Sequence, residues 1–193
     1  MKNKTRTTII TVVTMIILVA AIIIAFIFVQ KRLDSEGNVK GSDDSDVEEL
    51  IKVDFENDYP PTAHEVLRYY SRFLKCYYNE KLSDEQVELL AEKNHQLFDE
   101  EVIKVNPLPQ YTNNLKNEIE QYKKNKITMV NWNVQNAADA KKEKKGDNNI
   151  INLKASFFLK SGKNYTKTYE VFHLREDSDG NWKILSWEIT NKF

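Results

Sequence analysis

Chemistry in this chain of 193 residues would have to rest on three histidines, one cysteine and scattered carboxylates. The histidines are His64, His95 and His173, placed by pattern on a first helix, a second helix and a late strand. A catalytic or structural zinc needs ligands paired at fixed spacing, as in H-E-x-x-H or C-x-x-C, and neither spacing occurs. No metal centre and no cofactor is expected. His64 opens a helix and is expected to be solvated. Cys76 has no second cysteine to bridge, so no disulfide staples the fold. Its place between Lys75 and Tyr77 in a patterned helix favours a buried packing thiol over a reactive one.

Two acidic stretches resemble calcium loops at first sight. Asp43-Asp44-Ser45-Asp46 lacks the glycine turn and the distal glutamate that such a loop requires, so a solvated run is the better reading. In Asp177-Ser178-Asp179-Gly180-Asn181, aligning Gly180 with the loop glycine puts Arg175 and Ser186 at the first and last ligand positions. Neither suits calcium, and a hairpin turn is favoured. Lys141, Lys142, Lys144 and Lys145 are diluted by Glu143 and Asp147 and read as a solvated loop rather than an anion-binding patch.

The net charge of -1 hides opposed segments: a basic N-terminal stretch, an acidic run over residues 33–58 and a nearly neutral remainder. A nearly neutral domain supplies no electrostatic footprint for nucleic acid, which is not expected as a partner.

The run from Thr8 to Val29 is 22 residues without a charge. As a helix it would extend about 33 Å, enough for a hydrocarbon core of about 30 Å. Thr8, Thr11 and Thr14 can return their hydroxyls to the helix backbone. The run exceeds a secretory h-region and ends in Phe28-Val29-Gln30-Lys31-Arg32 without a small-residue cleavage site, so an uncleaved anchor is expected. Lys2, Lys4 and Arg6 precede it and Lys31 and Arg32 follow, which favours a cytoplasmic N-terminus. The expected organisation is a cytoplasmic tail over 1–7, a membrane helix over 8–29 in contact with the lipid bilayer, an acidic flexible stalk over 30–58 and an extracytoplasmic domain over 59–193. The stalk reads as solvated to residue 46, with 47–55 as a short helix or docking strand. The location expected is the cell membrane, single-pass, with the C-terminal domain outside.

Within the domain, Thr62 and Glu65 form a capping-box pattern ahead of a helix over 63–79. Its apolar stripe (Ala63, Val66, Leu67, Tyr70, Leu74, Tyr77) is widened by Tyr69, Phe73 and Cys76, which predicts packing on more than one neighbour. Ser83 caps a second helix carrying Val87, Leu90, Ala91, Asn94, Leu97 and Phe98. A third runs from about Tyr111 to Lys124 with Leu115, Ile119 and Tyr122 inward. After Lys126 the period becomes two: Val130, Trp132 and Val134, then Ile151, Leu153, Ala155, Phe157 and Leu159, then a strand over 165–174 and another over 182–189. A long charged connection over 138–149 and two short turns join them. The fold class is α+β, with helices first and an antiparallel meander after.

This order, with Tyr59-Pro60-Pro61-Thr62-Ala63 at its opening and Asp179-Gly180-Asn181-Trp182-Lys183-Ile184 near its close, resembles the nuclear transport factor 2-like superfamily. The stretch from Tyr59 to Asn79 also resembles uncharacterised membrane-anchored proteins of Gram-positive bacteria. The resemblance covers residues 59–193 and implies a cone of curved antiparallel sheet with helices in its hollow. That superfamily holds isomerases, dehydratases and non-catalytic binding modules, so the fold leaves function open. Its enzymes often pair a pocket carboxylate with His or Tyr for proton transfer, which implies Glu170, Glu188 and His173 as candidates. Glu170 and His173 are three apart on a strand and must face opposite ways. His173 is expected to point into the cone beside Tyr169 and Val171. The candidate pocket-lining residues are Tyr70, Tyr77, Trp132, His173 and Trp187, with Tyr69 and Trp182 among the aromatics otherwise read as core.

No catalytic residue is assigned. The leading expectation is a non-catalytic binding or interaction domain held at the membrane, with a small ligand, a protein partner or a second copy as occupants. The alternatives are a small-molecule enzyme and a dimerising assembly subunit of the cell envelope. Protease added to intact cells with a permeable envelope is expected to digest the C-terminal domain, and full protection would overturn the orientation.

Overall fold

A computed structural model describes residues 45–146 and 148–190. The expected cytoplasmic tail, the apolar run over 8–29 and the acidic run up to residue 44 lie outside the described residues. Among the described residues no helix is long and apolar enough to cross a membrane.

Among the described residues five helices precede a five-stranded antiparallel sheet, giving an α+β fold. The helices are α1 (Ser45–Lys52), α2 (Ala63–Asn79), α3 (Asp84–His95), α4 (Glu100–Val105) and α5 (Leu108–Lys124). The strands are β1 (Ile127–Val134), β2 (Lys141–Lys145), β3 (Asn148–Ser161), β4 (Asn164–Glu176) and β5 (Trp182–Thr190). Strands pair in the order β1-β3-β4-β5, with β2 pairing β3 beyond the end of β1.

Helix α1 draws the acidic segment into the folded unit. Val47 and Leu50 are buried, Phe55 behind them packs edge-on against Tyr69 at 5.1 Å, and Arg72 of α2 pairs with Asp46 and Glu49. The acids that suggested a solvated stalk line the outer side of a helix whose other side is apolar. The short helix expected over 47–55 therefore forms, and residues 45–58 belong to the packed domain rather than to the stalk.

Helix α2 is the centre of the core. Val66, Leu67, Phe73 and Tyr77 have no exposed surface, and the helix contacts α1, α3 and α5 as well as β1, β3 and β5. The Thr62 hydroxyl accepts from the Glu65 amide, but the Glu65 carboxylate turns to Arg68 at 3.0 Å, so only half of the expected capping box forms. The complete box belongs to α3, where Ser83 and Gln86 exchange hydrogen bonds.

The segment 97–99 joins the sheet beside β5. Ile184 donates to the Leu97 carbonyl and Asp99 donates to the Ile184 carbonyl. Asp99 then caps α4, which the sequence pattern did not reveal, and its carboxylate takes a two-pronged hydrogen bond from Arg175 of β4. The closing motif is explained by the same region. Gly180, at φ 83°, makes the turn, the Tyr59 hydroxyl donates to the Trp182 carbonyl, and Lys183 lies 3.8 Å from the Tyr59 ring centre.

Two departures concern the sheet. A bulge between Met129 and Asn131 resets the alternation in β1, so Met129 is buried where the pattern had suggested Val130. The charged connection over 138–149 holds β2, because Glu143 neutralises Lys141 at 2.8 Å and accepts from Asn152 of β3. The Asp177 loop is a hairpin turn: its carboxylate accepts from the amides of Asp179 and Asn181.

Leu50→Ala should destabilise the full chain by about 2–5 kcal/mol, the usual cost of deleting a fully buried leucine. Urea unfolding would measure this, and a change below about 0.5 kcal/mol would mean that α1 does not dock.

Candidate functional site

Strand β4 turns Glu170, Phe172 and Leu174 toward the helices, because successive side chains alternate between the faces of a sheet. Phe172 and Leu174 fill the core, while Glu170 brings a carboxyl group into it with only 7% of its surface exposed. The small Ala155 stands opposite on β3 and Ile189 opposite on β5. Trp187, one inward position before Ile189, packs its ring 6.0 Å from Tyr70 of α2 and 5.8 Å from Phe172. Helix α5 contributes Glu118 and Tyr122. The Tyr78 hydroxyl donates to the Glu118 carboxylate, and the Tyr78 and Tyr122 rings stack at 3.9 Å.

Among the described residues no hydrogen bond or ion pair reaches Glu170. Burial, and then the negative charge of Glu118, push its carboxyl up to about 8. Burial also raises Glu118, against the opposing effect of the Tyr78 hydrogen bond. Tyr70, 7% exposed, has its hydroxyl held well above the usual phenol range by burial first and by the charge of Glu170 second. That hydroxyl also lacks a hydrogen bond among the described residues. Among the described residues the side-chain polar atoms sealed from solvent without a partner include Tyr77 Oη, Asn94 Oδ1, Asn106 Oδ1 and Asn164 Oδ1.

A carboxyl in this setting is neutral at pH 7 and donates or receives a proton near pH 8. As a carboxylate it demands a positive partner, and the described residues supply none. The aromatic rings of Tyr70, Tyr122 and Trp187 provide walls whose faces carry partial negative charge.

The structure brings Tyr70 and Trp187 together at this site. Tyr77 lies deeper, stacked on Phe73 at 6.4 Å. Trp132 is on the inner face of β1, opposite Phe157 and two strands from Glu170. His173 corrects the expectation of an inward ring. It lies on the other face of β4, between the inward Phe172 and Leu174, and bonds Asn152 Oδ1 at 2.7 Å. Its Nε2 stands 4.0 Å from the exposed Glu188, and burial lowers its pKa against the opposing pull of Glu188. Glu170 therefore has no histidine beside it on this strand, as the two-residue period requires. His64 is half-buried rather than solvated and bonds the Gln135 carbonyl at 2.9 Å. His95 is buried with its Nε2 on the Asn106 carbonyl. Cys76 is buried, which pushes its thiol up to about 12 and suits a packing role.

Glu118 and Tyr78 escaped the sequence reading. Glu118 sits between Leu115 and Tyr122 on the inward stripe of α5, so its position carried a weak signal. Its pairing with a tyrosine 40 residues earlier carried none.

Comparison with known proteins gives one family: the model described as "Domain of unknown function (DUF6715)" matches residues 1–187. No curated protein matches the chain.

The raised carboxyl of Glu170 makes stability depend on pH. Folded protein holds a proton that the unfolded chain releases above its ordinary value, so stability declines from about pH 4.5 toward pH 8 and then levels. The slope contributed by this group is up to about 1.4 kcal/mol per pH unit. Glu170→Gln should equal the parent near pH 5 and exceed it by about 2–4 kcal/mol at pH 9 in urea unfolding. Coincident profiles at both pH values would remove Glu170 as a buried titrating group.

Proposed function

We propose that this chain, which belongs to the DUF6715 family, is a single-pass membrane-anchored protein whose extracytoplasmic domain binds a small ligand between its helices and its sheet without transforming it. The anchor is the uncharged run over 8–29, and the orientation follows the basic residues before it. The domain has the nuclear transport factor 2-like cone architecture, a reading supported by helices first, an antiparallel sheet after, and a long aromatic helix against the sheet. The observation that carries the binding reading is the unpartnered, nine-tenths buried carboxyl of Glu170 beside the equally buried, unpartnered hydroxyl of Tyr70. Each such group costs about 1–3 kcal/mol while it stays unpaired, which a ligand that pairs with it would recover.

A second reading is an enzyme that uses Glu170 as acid or base, favoured by a carboxyl that titrates near 8. Binding is preferred because the group beside it is another acid rather than a histidine or a nucleophile. His173, the natural second group, belongs to the opposite face.

Native mass spectrometry of the full-length protein, released from its own membrane in mild detergent, is expected to show a monomer with a small retained mass that is lost in Glu170→Gln. A bare monomer in both would count against a binding pocket. Turnover of the released molecule that dies with Glu170→Gln would favour the enzyme reading.

A further inference from the structure

We propose that the ligand of this site is a small organic ammonium ion, held by the Glu170 carboxylate between the rings of Tyr70, Tyr122 and Trp187, with Glu118 as the second negative group. The inference rests on the binding reading above and names the class of ligand.

Charge is the first argument. The groups set against Glu170 are Tyr70 from α2, Glu118 and Tyr122 from α5, Ala155 from β3 and Ile189 from β5, with Trp187 one inward position along β5. None is cationic, and no lysine, arginine or histidine acts on Glu170 among the described residues. Two acids with no protein counter-charge form a site that an anion is repelled from and a cation completes. The second argument is the lining. Aromatic faces attract cations, and the attraction is largest where water is excluded. Two aromatic pairs stand by the acids: Tyr70, packed on Trp187, toward Glu170, and Tyr78, stacked on Tyr122, at Glu118. The Tyr78 hydroxyl is committed to Glu118, which orients that carboxylate, whereas Glu170 and Tyr70 remain uncommitted. A weakly hydrated ammonium bearing carbon substituents suits rings and acid together. A bare divalent ion suits them less, because no third His, Cys, Asp or Glu joins the pair in a metal-binding group among the described residues.

Binding of a cation requires Glu170 to give up its proton, so affinity is linked to pH. Below the point at which Glu170 ionises, each pH unit upward should tighten binding about tenfold, and above it affinity should level. Glu118→Gln removes the repulsion that holds the Glu170 proton and should move that rise to lower pH.

The test uses full-length protein in a nonionic maltoside, with methylammonium and tetramethylammonium as probes, tert-butanol as neutral isostere and acetate as anionic control. Titration calorimetry with Trp fluorescence as second readout would be run from pH 6 to 9. The expected result is binding of at least one ammonium, at least tenfold weaker binding of tert-butanol, and no binding of acetate. Affinity should rise up to pH 8, fall more than tenfold in Glu170→Gln, and show an earlier rise in Glu118→Gln. A melting temperature of both variants at pH 5 no lower than the parent's would separate lost binding from lost folding. Equal or tighter binding of tert-butanol or acetate, or a retained mass that is not an amine, overturns the cation assignment and leaves the pocket standing. No probe bound, together with a bare monomer in the native spectrum, overturns both.

Discussion

Helix α2 is the constraint on which the remaining elements depend. Its apolar stripe is too wide for one partner, so it can be covered only by packing the sheet on one side and the other helices around the rest. Residues with no exposed surface run along its length from Val66 to Tyr77. Once α2 lies on the sheet, Tyr70 meets Phe172, Phe98 and Trp187 in one aromatic cluster. Asn79 at its end exchanges two hydrogen bonds with the backbone of Met129, fixing where β1 begins. Helix α1 closes the remaining side, which is why an acidic segment that looks like linker is part of the fold.

The same arrangement explains how a carboxyl reaches the interior. Strand β4 must present Phe172 and Leu174 to the helices, and the pleat carries Glu170 inward with them. Holding it ionised there is costly, so the group stays protonated at neutral pH. Glu118 deepens the effect from α5, and its own hydrogen bond from Tyr78 makes it the member of the pair that is better able to remain charged. A ligand that supplied positive charge would relieve both groups together. The Arg175–Asp99 pair, in contrast, satisfies itself and ties α4 to the sheet.

Much of the architecture was legible in one dimension. The helices over 63–79 and 84–95 announced themselves through period 3.6 and through caps, and the strands through period two. Where the reading missed, a local rule met a non-local partner. The lysine-rich connection forms β2 because Asn152 and the backbone of β3 receive it. Helix α4 is too short for a periodic signal and depends on Asp99, which Arg175 holds from 76 residues away. Alternation in β4 by itself fits either face inward, and Tyr169 and Val171 beside His173 favour the wrong one. The pairing of Leu153 with Phe172, both without exposed surface, decides that the even-numbered residues face the helices.

The sequence by itself determined the α+β class, the order of helices before strands and the opposition of Glu170 and His173. Each of these follows from spacing along a single element, which the backbone geometry of helix or strand converts directly into direction. It also determined the uncharged run on which the proposed anchor rests. Only the tertiary structure decided that α1 belongs to the domain, which face of β4 is buried and that Glu118 shares a neighbourhood with Glu170. Those facts depend on contacts between residues far apart in the chain, 40 for Tyr78 with Glu118 and 26 for Asp46 with Arg72. Such contacts are selected by the packing of whole elements, and no periodicity within either partner encodes them.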